Sequence, residues 1–293
     1  MATAPVIIMG MHRSGTSLLT RILEELGLFM GVVKDVNAES EFFLGLNRWI
    51  FGQVNATWDN PYCFRFLNEY MRDVIVAALD QFLKDPSRQY FIGADKMASI
   101  ADIRNLDIPW GWKDPRNAFT AEIWQRLFPN ARIIHIYRNP IDVAASLRNR
   151  EIDLKTTTQK LFSEQGIVAM LNKKTQFQLS VRVENVDEGI KLWEEYNEKA
   201  LSLDHAFEGR LLHLRYEDFL EQPVSVLTEV VRFCGLTVSE DEISSKAAAI
   251  NVTRKYAFTN NPELVEIYRR WQNRELFKRL GYNEIISTKT LSL

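Results

Sequence analysis

Cysteine is scarce in this chain: two in 293 residues, Cys63 and Cys234. They stand far apart and in no metal-ligand spacing, so a disulfide-built scaffold is excluded and two buried thiols are expected. No apolar run approaches the roughly 20 residues needed to span a bilayer. The segment Met1–Gly10 lacks the basic start and longer apolar stretch of a signal peptide, so the expected location is the cytosol. Neither sign of charge dominates: 36 Lys and Arg against 38 Asp and Glu give a net charge of −2. A global basic field for nucleic acid is therefore absent, although local anion sites are not excluded. Internal repeats, low-complexity tracts and flexible linkers are also missing. What remains is an ordinary globular composition, 46% apolar and 25% charged, read as one domain over residues 1–293.

The pattern alternates strands with helices. Val6-Ile-Ile-Met9 is a short β-branched run suited to a buried parallel strand, and after the loop Gly10–Gly15 the residues Leu18, Leu19, Ile22, Leu23 and Leu26 recur at helical spacing until Gly27. A second unit is the strand Arg132–Tyr137, then Arg138-Asn139-Pro140, with Asn139 as N-cap, Pro140 as first helical residue, and a helix Ile141–Arg150. A third strand, Leu211–Arg215, leads into Tyr216-Glu-Asp218. Helices are expected over Phe64–Leu83, Asn117–Phe128, Val186–Leu203, Val224–Cys234 and Pro262–Leu280. The fold class is α/β: a P-loop-like parallel sheet flanked by helices on both faces. The stretch from Glu151 to Glu184 reads as irregular, an excursion near the active-site mouth.

The loop Gly10-Met-His-Arg-Ser-Gly15-Thr16-Ser17 brackets four residues between glycines and ends on two hydroxyls at a helix start. Backbone N–H groups and the helix dipole make such a loop an anion site. A nucleoside-triphosphate loop would carry Lys before its hydroxyl residue; here Thr16 stands in that place and the cation lies inside the loop as Arg13. No apolar strand ends in an Asp that would hold magnesium. Arg138 follows a strand, and Ser146 lies two helical turns beyond Asn139 on the same face, a second candidate anion site. Two such sites on adjacent units match a cofactor with a phosphate at each end of its nucleoside. The plainer readings are a turn with incidental glycines, a solvated Arg138 and a helix-surface Ser146.

The loop resembles the 5′-phosphosulfate loop of 3′-phosphoadenosine 5′-phosphosulfate (PAPS)-dependent sulfotransferases, in the Arg-Ser-Gly-Thr form of protein-tyrosine, carbohydrate and bacterial members. Three further matches follow in order: Trp112-Lys-Asp-Pro115 is similar to the Lys-Asp-Pro element of the tyrosylprotein branch, Tyr137–Ser146 to the 3′-phosphate segment, and Leu214-Arg-Tyr-Glu-Asp218 to the Tyr-Glu-Asp element. The resemblance implies that Arg13, Ser14, Gly15, Thr16 and Ser17 hold the 5′-phosphosulfate, Arg138 and Ser146 the 3′-phosphate, and that Tyr216 lies beside adenine. Arg13 and Lys113 would carry positive charge to the transferring group, with no metal. Thr253-Arg-Lys255 echoes a 3′-phosphate pair, but Tyr256 replaces the usual glycine, and a solvated basic pair is an equal reading of Arg254 and Lys255.

The cytosolic branch has Lys-Thr-His where this chain has Lys113-Asp114-Pro115, so its histidine base is missing here. His135 and His213 sit within apolar strands and read as core; His12 lies in the loop. The tyrosylprotein branch places a catalytic glutamate after the first helix, and by that resemblance Glu39 is the favoured general base, with Glu41 second. The competing reading is a capping arrangement around Ser40 at the start of a helix Phe42–Phe51. Arg116 serves either the acceptor or Asp114. The acceptor is a hydroxyl-bearing carbohydrate or other small molecule, and Trp49, Phe51, Trp58 and Tyr62 stack on it or belong to the core. The competing functions are a nucleotide-dependent kinase on the same fold and a non-catalytic phosphoanion- or glycan-binding module.

Overall fold

In a computed structural model of the chain, the structure describes residues 3–172 and 179–286. The elements in chain order are β1 (Val6–Met9), α1 (Thr16–Glu25), α2 (Glu41–Gln53), α3 (Glu69–Phe82), α4 (Gln89–Ile92), β2 (Gly111–Lys113), α5 (Asn117–Leu127), β3 (Arg132–Tyr137), α6 (Pro140–Asn172), α7 (Val186–Leu201), β4 (Leu211–Arg215), α8 (Tyr216–Glu221), α9 (Pro223–Cys234), α10 (Glu240–Ala248), α11 (Pro262–Trp271) and α12 (Glu275–Arg279), with short 3-10 turns between them. By Cα proximity they form two compact units, Met1–Arg138 with Tyr196–Lys255, and Asn139–Glu195 with Tyr256–Leu293.

The first unit holds a four-stranded parallel sheet in the order β2-β1-β3-β4. Every residue of β1 is buried, as expected of a short β-branched run with neighbours on both edges. Side chains alternate across it. Val6, Ile8, Ile134, Ile136 and Leu214 pack into a core with Leu19, Ile22 and Leu23 of α1 and with α8, α9 and α10. On the opposite face, Trp112 stacks on Phe43 of α2 with ring centroids 4.0 Å apart and meets Trp124 of α5 at 5.3 Å. Helices thus cover both faces. Cys234 lies in the first core, where burial pushes its thiol up to about 12, and Cys63 is half-buried.

Strand β2 escaped the sequence pattern because it is three residues long, begins with glycine and starts two residues after a proline. Its glycine is required: a Cβ at Gly111 would stand 2.0 Å from the Val6 carbonyl oxygen. The helix expected from Phe64 begins at Glu69. A 3-10 turn over Pro61–Phe66 precedes it, and the Asn68 side chain caps the new start by accepting the Met71 N–H at 2.9 Å.

In the second unit, Asn139 caps α6, its Oδ1 accepting from the N–H groups of Ile141 (3.0 Å) and Asp142 (3.1 Å). Helix α6 runs on to Asn172 through the stretch read as irregular; residues 173–178 of that stretch lie outside the described residues. The buried Glu151 accepts the backbone N–H of Leu179 at 2.8 Å and Ser180 at 3.2 Å. The expected helix Pro262–Leu280 is two helices, α11 and α12, with Arg274 in an extended conformation between them.

Candidate active site

In the first unit, the carboxyl ends of four adjacent parallel strands gather the candidate residues. The loop Gly10–Gly15 follows β1, Lys113 ends β2, Arg138 follows β3 and Tyr216 follows β4. In open parallel sheets this edge, where consecutive connections leave to opposite sides of a central strand, is where ligands bind.

The loop is turned by left-handed backbone at Arg13 (φ 71°) and Gly15 (φ 97°). Gly15 is the N-cap of α1 and offers no side-chain cap, and the first turn carries no acid. The opening N–H groups of α1 therefore lack intrahelical partners and point at whatever occupies the loop. The Ser14 hydroxyl is fully buried with no hydrogen-bond partner among the described residues. A Cβ at Gly15 would meet the Tyr216 ring at 2.4 Å, so the loop lies flat against that ring. Arg138 binds the same assembly. Its guanidinium stacks 4.8 Å from the Tyr216 centroid, and donates to the carbonyls of Arg13 (3.3 Å) and Arg254 (3.0 Å). Arg13, Arg138, Tyr216 and Arg254 are thus brought together, the first and last through their backbones. Lys255 pairs with Glu221. Ser146 lies half-buried on α6 in the second unit.

The other focus is Lys113. Its ammonium, almost fully buried, donates to Glu39 Oε1 at 2.8 Å and to Ser17 Oγ at 3.4 Å. Burial raises the Glu39 carboxyl to about 7, with the nearby Asp114 charge, and a smaller one at Asp35, adding to the shift and Lys113 opposing it. Glu39 is held by its own loop: Asp35 Oδ1 accepts the Glu39 N–H at 2.9 Å, and the Asp35 N–H returns to the Glu39 carbonyl at 2.9 Å. Ala38 takes a left-handed turn (φ 61°) within it. Ser40 occupies the N-cap position of α2, but its buried hydroxyl makes no capping bond. Glu41 is exposed and lines a separate groove of about 270 Å³ with Phe42, Gly45, Leu46, Phe82 and Tyr90.

Beneath this pair lies a network that sequence reading missed. Asn47 of α2 is fully buried and uses its whole amide. Its Nδ2 donates to Asp114 Oδ2 (3.0 Å) and Asn117 Oδ1 (2.9 Å), while its Oδ1 accepts from Thr120 Oγ1 and Trp124 Nε1, both at 2.9 Å. Asp114 also receives the Arg116 N–H at 2.9 Å and its guanidinium at 3.1 Å. Of the two roles weighed for Arg116, the contact present is with Asp114. The signal available in the sequence was a lone amide on the apolar face of α2, between Phe43 and Ile50.

His12 stands edge-on to Trp58, centroids 4.8 Å apart, and Tyr196 Oη donates to the Trp58 carbonyl at 2.7 Å. Phe51 is core, Trp49 is half-buried against Phe82, and Tyr62 is exposed. His135 is fully buried, its Nδ1 lying 2.8 Å from that of His213, whose Nε2 meets Asp204 at 2.6 Å. Burial lowers His135 to about 3, keeping it neutral. Among the described residues no group of three or more His, Cys, Asp or Glu could hold a metal ion, and no helix is long and apolar enough to cross a membrane.

The model of the sulfotransferase family matches residues 5–240, spanning the loop, Glu39, Lys113, Arg138 and Tyr216. The chain belongs to the sulfotransferase family. That family is one of transferases, and membership in it supports sulfuryl transfer in general. An uncharacterized protein of Aquifex aeolicus is 24% identical over 96% of this chain, which spans 34% of that protein's length. Among solved structures, the sulfotransferase domain of the Synechococcus PCC 7002 olefin synthase is 18% identical, covering 92% of this chain and 88% of its own, with a TM-score of 0.43. The sulfotransferase domain of the curacin biosynthetic pathway is 15% identical, covering 95% and 96%, with a TM-score of 0.47.

Proposed function

We propose that this sulfotransferase takes its sulfuryl group from PAPS and delivers it to a hydroxyl, with Glu39 as general base. The observation that carries the reading is the buried Glu39–Lys113 pair beside Ser17 at the start of α1. The loop fits an anionic donor: among the described residues the buried Ser14 hydroxyl meets no hydrogen-bond partner, and the helix start behind it has neither side-chain cap nor acid. When bound, the donor supplies an activated sulfuryl group on a phosphate leaving oxygen. Arg13 and Lys113 stabilise negative charge that develops in the transfer, and the hydroxyls of Ser14, Thr16 and Ser17 with the N–H of Gly15 orient the 5′-phosphosulfate. Arg138 takes the 3′-phosphate and Tyr216 lies beside the base; the sequence resemblance adds Ser146, Arg254 and Lys255 to the donor set. A carboxyl raised to about 7 is poised to take a hydroxyl proton near neutral pH. The Arg-type loop supports a carbohydrate acceptor by resemblance.

Calorimetry tests the donor assignment. 3′,5′-Diphosphoadenosine is expected to bind far more tightly than AMP or ATP with magnesium. Arg138→Ala should weaken it strongly and adenosine 5′-phosphosulfate little, because only the former carries a 3′-phosphate. Equal losses for both ligands would overturn the role of Arg138, and a strict magnesium requirement would revive the kinase reading.

A further inference from the structure

We infer that Asn47 is a positioning residue for the proposed reaction: bonded to the turn after β2 and to α5, it seats α2 so that Glu39, just ahead of that helix, meets Lys113 at the end of β2. The inference rests on the reading of Glu39 as base. All four hydrogen-bonding sites of the amide are used. All four partners lie on the segment from Asp114 to Trp124, which begins next to Lys113. Glu39 and Lys113 approach from two distant segments, and nothing in either local sequence fixes their separation. Asn47 joins the same two segments about two helical turns deeper.

The same amide fixes a charge. Asp114 Oδ2 is bound by Asn47 while Oδ1 takes the N–H and guanidinium of Arg116. The charged groups acting on Glu39 are Asp114 and Lys113, with Asp35 from its own loop and Arg116 from the turn. Freeing α2 weakens every influence on Glu39: less burial and a looser Asp114 lower its titration midpoint, and a more distant Lys113 raises it. The first two are the larger, so the midpoint moves down toward that of a free carboxyl.

The test uses the full chain with ¹³C-carboxyl glutamate, the Glu39 resonance being the one that Glu39→Gln removes. The expected midpoint is about 7 in the parent. In Asn47→Ala it should fall by about one pH unit or more, while 3′,5′-diphosphoadenosine affinity stays within about twofold and PAPS turnover, with water as acceptor, drops at least about tenfold. Thr120→Val, which removes one of the two donors to Asn47 Oδ1, should move the midpoint in the same direction by less. A folded Asn47→Ala protein that merely melts earlier with an unmoved midpoint overturns the inference. If Asn47→Ala does not fold, an unmoved midpoint in Thr120→Val does so. Unchanged PAPS turnover in Glu39→Gln would instead overturn the role of Glu39 as base, a result separable from the titration.

Discussion

Two buried ionisable groups, each with an ionisable partner, lie in the same unit and are driven in opposite directions by the same force. Burial disfavours charge, so it raises the Glu39 carboxyl to about 7 and lowers the His135 imidazole to about 3. What differs is the company. Glu39 meets a buried ammonium that pulls its proton affinity back down, leaving it divided between two states near neutrality. His135 meets a second imidazole and stays neutral over the whole working range. Burial reinforced by a neighbouring imidazole makes a silent group; burial against an opposing charge makes a responsive one.

The sharpest way to break this contrast is Glu39→Gln, expected to lower turnover by roughly 10²–10⁴-fold while calorimetry with 3′,5′-diphosphoadenosine shows unchanged affinity. Lys113→Met comes next, with a loss of about 10²–10³-fold. It should also raise the Glu39 midpoint further, since Lys113 is the group that lowers it, and carboxyl NMR reads this directly.

Stability against pH separates the pairs more gently. Between about pH 4.5 and 6.5 the folded state holds a proton on Glu39 that the unfolded chain releases, so this group's contribution falls as pH rises. Over the same window the unfolded chain protonates His135 and the folded state does not, so that contribution rises with pH. The two oppose each other in the parent. Glu39→Gln should leave stability climbing by up to about 1.4 kcal/mol per pH unit, and His135→Gln should leave it falling, as denaturant titrations at pH 5 and 6.5 would show. The smallest effect is kinetic: His135→Gln costs about 1–3 kcal/mol of stability, yet turnover per folded molecule should stay within about twofold of the parent.

The sequence made these two regions unequally legible. Strands β1, β3 and β4 run over the residues expected, because each is a mostly apolar run ending at a loop or helix start with turn chemistry. The loop glycines, Arg13 and Arg138 stood out as local spacings, and Lys113 and Glu39 only through resemblance. Asn47 was not visible, because its meaning depends on Asp114, Asn117, Thr120 and Trp124, distant in the chain and adjacent only across the sheet face. Helix ends misread in the sequence have similar causes. Asn68 caps α3 where apolar periodicity suggested a continuous helix from Phe64, and the break after Trp271 carries no proline or glycine to announce it.

Gly111 has a further consequence for anyone substituting this protein residue by residue. The Val6 carbonyl oxygen occupies the space its side chain would need, so even alanine must push β1 and β2 apart. The register Val6 to Gly111 also pairs Ile8 with Lys113, and so sets how far along the sheet the ammonium reaches. In a saturation scan scored by activity, position 111 should therefore rank with Glu39 and Lys113 for intolerance although it contributes no functional group. A map of essential positions would mark this glycine as part of the active site, when its role is that of a spacer between two strands.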